Sequence, residues 1–173
     1  DAWLRIGNIK IFTDGALGPK TAWMIQPYEN EPNNRGISIY DPEQLVEFTA
    51  KAHSAGLGVV VHAIGDRANH EMLNAIEADK LSRVPSSEFR VRDRIEHAQV
   101  LYPDDIARFA TLDVIASVQP IHATQDMRMA DAYWGKGRSA NAYAFRSLWD
   151  SGARLAFGSD APVETFDPLT GIH

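Results

Sequence analysis

A parallel α/β architecture is predicted for this chain, and three observations predict it. Strand-like and helix-like segments alternate along the 173 residues. One strand candidate, Gly58–His62, is apolar until its last residue, as in a strand covered on both faces. The composition, 45% hydrophobic and 23% charged, is that of a folded domain and argues against intrinsic disorder.

The elements follow in order. Ile6–Phe12 is short and β-branched, and it ends at the turn signal Thr13-Asp14-Gly15. Ala16–Tyr40 is rich in Gly, Pro and Asn without a sustained period, so it reads as a long loop, a kind that is usually functional or disordered. Asp41 as N-cap and Pro42 in the first turn open a helix. Leu45, Phe48 and Ala52 keep its spacing until Gly56 stops it. After the Gly58–His62 strand, Gly65-Asp66 caps a second helix with Met72, Leu73 and Ile76 on its apolar face. Val91–His97 is a third strand, Asp104–Leu112 a short helix opened by Pro103, and Val114–Val118 a fourth strand ending at Gln119-Pro120. Ile121–Ala140 is polar with scattered aromatics and reads as a loop. Tyr143–Asp150 is a helix stopped by Gly152, and Ala153–Gly158 is the last strand. This alternation implies crossover helices on a parallel sheet. No strand leads into a G-x-G-x-x-G or G-x-x-x-x-G-K-[ST] loop, which weakens a nucleotide-binding reading.

Charge and composition narrow the function classes. With 17 Lys+Arg against 23 Asp+Glu the net charge is -6, which argues against a nucleic-acid binder. No apolar run reaches the roughly 18 residues of a membrane span. The absence of cysteine excludes disulfides, thiolate zinc sites and cysteine nucleophiles, and fits a cytoplasmic setting. Asp1–Asn8 has no signal-peptide pattern. The length suits one domain but falls short of a closed (β/α)8 barrel, which takes about 200–250 residues or more.

Residues able to bind a metal sit at the C-terminal ends of several predicted strands, the edge where parallel α/β proteins build their sites. Val59-Val60-Val61 runs into His62, Arg94-Ile95-Glu96 into His97, and Leu155-Ala156-Phe157-Gly158-Ser159 into Asp160, while Lys10 and Asp14 lie near the first strand. Imidazoles and carboxylates together make a site for a divalent ion, zinc being the usual occupant. Taken singly, each histidine could be structural, Asp160 could cap a turn, and Lys10 could extend to solvent. Three strand ends supplying ligand-type side chains to one edge favour a joint role.

Lys10-Ile11-Phe12-Thr13-Asp14-Gly15, Val61-His62-Ala63-Ile64-Gly65-Asp66, Arg94-Ile95-Glu96-His97-Ala98 and Gly158-Ser159-Asp160-Ala161-Pro162-Val163 occur in that order. Together they resemble the motifs of amidohydrolase family 3, the branch of the metal-dependent amidohydrolase superfamily that includes N-substituted formamide deformylases. The resemblance implies a (β/α)8 barrel of which this chain is the C-terminal half, strands four to eight. It implies a single partial barrel domain over residues 1–173, without the N-terminal strands and the flanking β-sandwich. It also implies metal ligands at Lys10 (carboxylated and bridging in many family members), His62, His97 and Asp160, with one or two ions, expected to be zinc. The family's His-x-His pair is absent: none of His53, His62, His70, His97, His122 and His173 are two apart.

The implied reaction is hydrolysis of an amide or other non-peptide C–N bond in a small-molecule substrate, with Asp160 as general base and proton shuttle. Each ligand histidine then needs an acceptor for its second N–H, and Glu96 and Asp66 are candidates. His122 could bind a substrate oxygen or line its loop. Arg138 could read a substrate carboxylate or form a salt bridge. Trp23 could belong to a substrate wall or lid, or pack structurally. His53 and His70 fall on helices and read as structural. A lyase or isomerase on the same scaffold and a non-catalytic fragment are the competing readings. The isolated chain is expected to be inactive and to associate with other copies through uncovered apolar faces.

Overall fold

In a computed structural model, residues 3–4, 6–82 and 92–171 are described. Five parallel strands, β1 (Asn8–Phe12), β2 (Gly58–Ala63), β3 (Arg94–His97), β4 (Ile115–Val118) and β5 (Arg154–Phe157), form one sheet in the order β1-β2-β3-β4-β5. The helices are α1 (Pro42–Ser54), α2 (Asp66–Ser82), α3 (Ile106–Thr111), α4 (Pro120–Ser139) and α5 (Phe145–Asp150), with short 3-10 turns at Pro103–Asp105 and Pro168–Gly171. Every strand is thus followed by helix or turn before its sequential neighbour pairs beside it. The β/α alternation read from the sequence is the observed architecture. The Val91 end of the third predicted strand lies outside the described residues.

The two faces of the sheet differ. Val59, Val61, Ile95, Ala116 and Val118 are buried against Leu45, Met72, Leu73, Ile76, Phe109 and Leu148 of the helices. On the other face the strand register aligns Phe12, His62, Glu96, Ser117 and Ala156 in one row, and none of these is fully buried. Strand alternation separates the two sets. The second face is therefore polar because its residues do not enter the helix-covered core.

The polar stretch after β4 is helix, not loop, so the expectation for Ile121–Ala140 is corrected. Pro120 opens it and Gly135 kinks it at a φ of 77°. Only Ala130 and Trp134 along it are buried, so the apolar periodicity was too short to reveal it. Those two residues join Leu17, Ala22, Met24, Tyr28, Ile64 and Val100 in a second cluster, capping the C-terminal end of the sheet.

Segment 16–40 has no helix or strand, yet it is bonded in place. Met24 and Tyr28 amides donate to the Arg35 and Asn34 carbonyls, Ile39 donates to Thr13, and Glu29 donates to Tyr133 of α4. It is a fixed wall over the strand ends rather than a free lid. Gly65 shows how tightly it seats: a Cβ there would fall 1.9 Å from the Trp23 carbonyl oxygen.

Candidate metal centre

His62 and His97 come together at the C-terminal strand ends, with ring centroids 4.6 Å apart and planes at 73°. Alternation alone predicts otherwise. His97 pairs with Ala63, whose side chain points into the helix-covered core, so it belongs to the opposite row from His62. The backbone resolves this: His97 has a φ of 75° and Ala98 one of 42°, so the strand leaves its pleat at His97. A left-handed conformation at two consecutive non-glycine residues is costly and is retained where the surrounding structure demands it.

Each of the two imidazoles has one nitrogen anchored. Nε2 of His62 donates to the Gly15 carbonyl at 2.9 Å and stands 3.6 Å from Asp14 Oδ1. Nδ1 of His97 lies 2.9 Å from Gln119 Oε1, an amide oxygen that only accepts. Protons therefore sit on His62 Nε2 and His97 Nδ1, leaving His62 Nδ1 and His97 Nε2 with free lone pairs. The anchoring acceptors are Gly15 and Gln119 in place of Glu96 and Asp66. Glu96 instead takes the Arg94 Nε–H, and Asp66 takes the Ile25 and Arg67 amides. Burial lowers the pKa of His62, and burial with the neighbouring His62 and His122 rings lowers that of His97 to about 4. Both rings are neutral at pH 7, the form that can ligate a cation.

The loop behind this pair is held by Asp14, a buried carboxylate. Its oxygens accept the Trp23 amide at 2.9 Å, the Ile64 amide at 3.1 Å and the Gly65 amide at 2.8 Å. Burial nevertheless pushes its pKa up to about 7. Thr13 anchors the same corner, donating through both its amide and its hydroxyl to the His62 carbonyl.

The other predicted residues divide. Lys10 lies on the polar face with Nζ 4.9 Å from the Phe12 ring. Burial lowers its pKa, against the opposing charges of Glu96 and Asp160. Asp160 follows β5 in an exposed left-handed turn (φ 58°), and its charge is felt by Lys10, His62 and His97. His122, in the first turn of α4, stacks on His97 at 6.1 Å. Arg138 is engaged elsewhere: it donates to the Trp134 and Gln26 carbonyls and lies 3.6 Å from Glu29, tying α4 to the wall segment. Trp23 packs against the main core with Arg67 over its ring at 5.4 Å. Its carbonyl accepts the Arg67 and Ala68 amides. His53 lies between Asp79 (2.6 Å) and Asp93 (2.7 Å), and His70 pairs with Asp105 at 2.9 Å; both are scaffold contacts.

The donor chemistry fits a divalent ion: two neutral, oriented imidazoles with a carboxylate in electrostatic range. Among the described residues no three His, Asp or Glu side chains converge closely enough to enclose one. Gln119 and Gly15 were missed as functional residues because an amide and a main-chain carbonyl carry no ligand signature. The Gln119-Pro120 strand end was the available signal.

Comparison with known proteins identifies the family. The amidohydrolase family model matches residues 1–173. Protein LONG AFTER FAR-RED 3 of Arabidopsis thaliana is 41% identical over 99% of this chain and 29% of its own length. The N-substituted formamide deformylase of Arthrobacter pascens is 26% identical over 95% of this chain and 30% of its own. A crystal structure of an uncharacterized metal-dependent hydrolase from Pyrococcus furiosus superposes with a TM-score of 0.85 at 34% identity, over 97% of this chain and 33% of that one. The chain spans about a third of the length of these relatives. With its motifs at the strand ends and the family model matched from first residue to last, this chain belongs to the amidohydrolase family.

Proposed function

We propose that this chain carries part of the active site of a metal-dependent hydrolase that cleaves an amide or other non-peptide C–N bond in a small molecule. The observation that carries the reading is the His62–His97 pair: adjacent, neutral, and each with one nitrogen anchored so that the other is free. His62, His97 and Asp160 would hold a divalent ion, zinc being the best match to nitrogen and oxygen donors. Lys10 is the residue for a second ion: burial favours its neutral amine, the form that takes up carbon dioxide to become a carbamate. When bound, the ion supplies Lewis acidity for water addition to a carbonyl.

The chain's own residues manage the protons. Asp160 Oδ accepts a proton from the attacking water and returns it to the leaving nitrogen as the C–N bond breaks, giving an acid and an amine. His122, stacked beside His97, is placed to donate to a substrate oxygen. Arg138 and Trp23 would reach substrate only at the outer wall, since their hydrogen bonds and ring contacts belong to the scaffold.

The five strands, paired in sequence order, are read as strands four to eight of a (β/α)8 barrel. Exposed Ile9 and Phe12 on β1 and Phe157 on β5 support this, because such side chains are covered when a sheet closes. The isolated chain is then inactive and self-associates. A non-catalytic role is the second reading, favoured by the lack of three converging donors among the described residues.

The test is metal content and turnover of the full-length protein. About one zinc or more per chain, lost in the H62A/H97A double variant, together with hydrolysis of an N-substituted formamide or N-acyl amino acid that D160N abolishes, is the expected result. A full-length protein that holds no divalent metal refutes the hydrolase reading, and one that holds metal without hydrolysing any of the panel favours the non-catalytic reading.

A further inference from the structure

The loop after β5 has an inverted exposure pattern. From Asp160 to Asp167 every residue is exposed except Glu164, whose side chain is only 17% accessible, while Val163 and Phe166 stand 70% and 87% exposed. A carboxylate turned inward between two apolar residues turned outward needs a partner to offset its desolvation. Glu164 has two, both on α4. Its Oε2 accepts Gln125 Nε2–H at 3.0 Å, and its Oε1 stands 4.0 Å from His122 Nε2, beyond hydrogen-bond length but within ion-pair reach. Gln125 and His122 are three residues apart, so they share one face of α4.

The same loop carries Asp160, four residues before Glu164. Within it, the Val163 amide donates to the Asp160 carbonyl, closing a turn that links the two carboxylates through a short stretch of backbone. Asp160 itself has a left-handed φ and an exposed side chain, so its own contacts do little to fix it.

We propose that Glu164 is a positioning residue: it latches the Asp160 loop onto α4 through Gln125 and His122, and so fixes the general base relative to the histidine that stacks on His97. One carboxylate spans the two elements that bring Asp160 and His122 to the site, and they are distant in sequence. The latch is a statement about the fold. Its catalytic consequence rests on the hydrolase reading above.

Hydrogen exchange of the full-length protein, followed by mass spectrometry, tests the latch without requiring turnover. E164A and Q125A should each speed exchange across 158–167 about 3- to 10-fold, the effect of losing one partly exposed charge-assisted hydrogen bond, with β2 and β3 unchanged. E164Q retains an amide oxygen for Gln125 and should restore protection to within about twofold of wild type. Exchange in E164A within twofold of wild type, or E164Q as fast as E164A, overturns the latch. If the wild type hydrolyses amides, E164A should lower kcat about tenfold or more with KM and metal content little changed, and E164Q should recover most of it. Unchanged kcat in E164A with a loosened loop overturns the positioning role. A wild type with no turnover favours the non-catalytic reading, and the exchange data still decide the latch.

Discussion

Removing the Asp14 carboxylate should cost more stability than any other single change to a polar side chain near the site. Three main-chain amides from two separated segments, Trp23 in the wall and Ile64 and Gly65 after β2, converge on its two oxygens, which are buried. In D14A all three lose their acceptor, and the Ile64 and Gly65 amides are left inside the protein. A buried unsatisfied group costs about 1–3 kcal/mol, so the total is at least about 3 kcal/mol. That is a large share of the roughly 5–15 kcal/mol that holds a domain folded. D14N keeps one oxygen, which can serve the two closest donors, Gly65 and Trp23. Its NH2 then faces the Ile64 amide, donor against donor, which costs about 1–3 kcal/mol, while removal of a desolvated charge offsets part or all of that cost at pH 8. The comparison belongs at pH 8, above the value of about 7 to which burial raises Asp14, so that the wild-type group is an all-acceptor carboxylate. Equilibrium urea unfolding should place D14A below both wild type and D14N, and the gap between wild type and D14N should narrow as pH rises from about 4 through about 7, because burial makes ionisation of Asp14 unfavourable in the folded state. A D14A protein within about 0.5 kcal/mol of wild type, or more stable than D14N, would refute the view that the three amides depend on this side chain.

The remaining expectations concern the histidine pair, the second core and two glycines. In metal-free protein His97 should impose an acid-side loss of stability: its folded pKa is lowered, so the unfolded chain takes up a proton that the folded one refuses, and stability falls as pH drops from about 6.5 through about 4. The stability difference between wild type and H97N, measured by urea unfolding with chelator, should shrink or change sign across that window, by up to roughly 3 kcal/mol. A difference independent of pH would show that the ring is not held neutral. Trp134→Ala should cost about 3–5 kcal/mol, because the fully buried ring is the largest side chain in the cluster joining α4 to the wall; a loss below about 1 kcal/mol by thermal unfolding would mean the cluster does not hold them together. Gly65→Ala should unfold the protein or lower its expression sharply, since the new Cβ meets backbone at 1.9 Å, whereas Gly137→Ala, with open space around it, should be neutral or stabilising by up to about 1 kcal/mol. Equal circular-dichroism melting curves for the two variants would contradict the close approach of Trp23 to Gly65.

Much of the fold was legible because its signals are local. The continuous apolar run of β2 and the Asp41-Pro42 entry to α1 depend only on neighbours along the chain, and in the structure Gln44 Oε1 accepts the Asp41 amide at 3.0 Å as a capping interaction. The α4 helix was not legible, because its stability comes from Trp134 and Ala130 meeting residues distant in sequence, from Leu17 to Tyr28 in the wall and Ile64 and Val100 after β2 and β3, rather than from its own polar pattern. Arg138 shows the same limit from the other side. A lone arginine in a polar stretch reads equally as a ligand or a tie, and only the nearby Gln26 carbonyl decides for the tie.

For the site, residue types and their spacing along the chain were sufficient to identify His62, His97 and Asp160 as strand-end residues and to mark the family. They could not put His97 beside His62. Pleat alternation assigns the two to opposite faces, and a left-handed backbone at His97 and Ala98, supported by packing around it, turns the ring to the other side. Nor could they specify which nitrogen of each ring is free. That is decided by Gly15 and Gln119, groups whose chemistry is ordinary anywhere else and becomes specific only through a distance of 2.9 Å. Short-range order follows from short-range sequence, whereas side-chain direction and proton placement depend on contacts between segments that meet only once the sheet has formed.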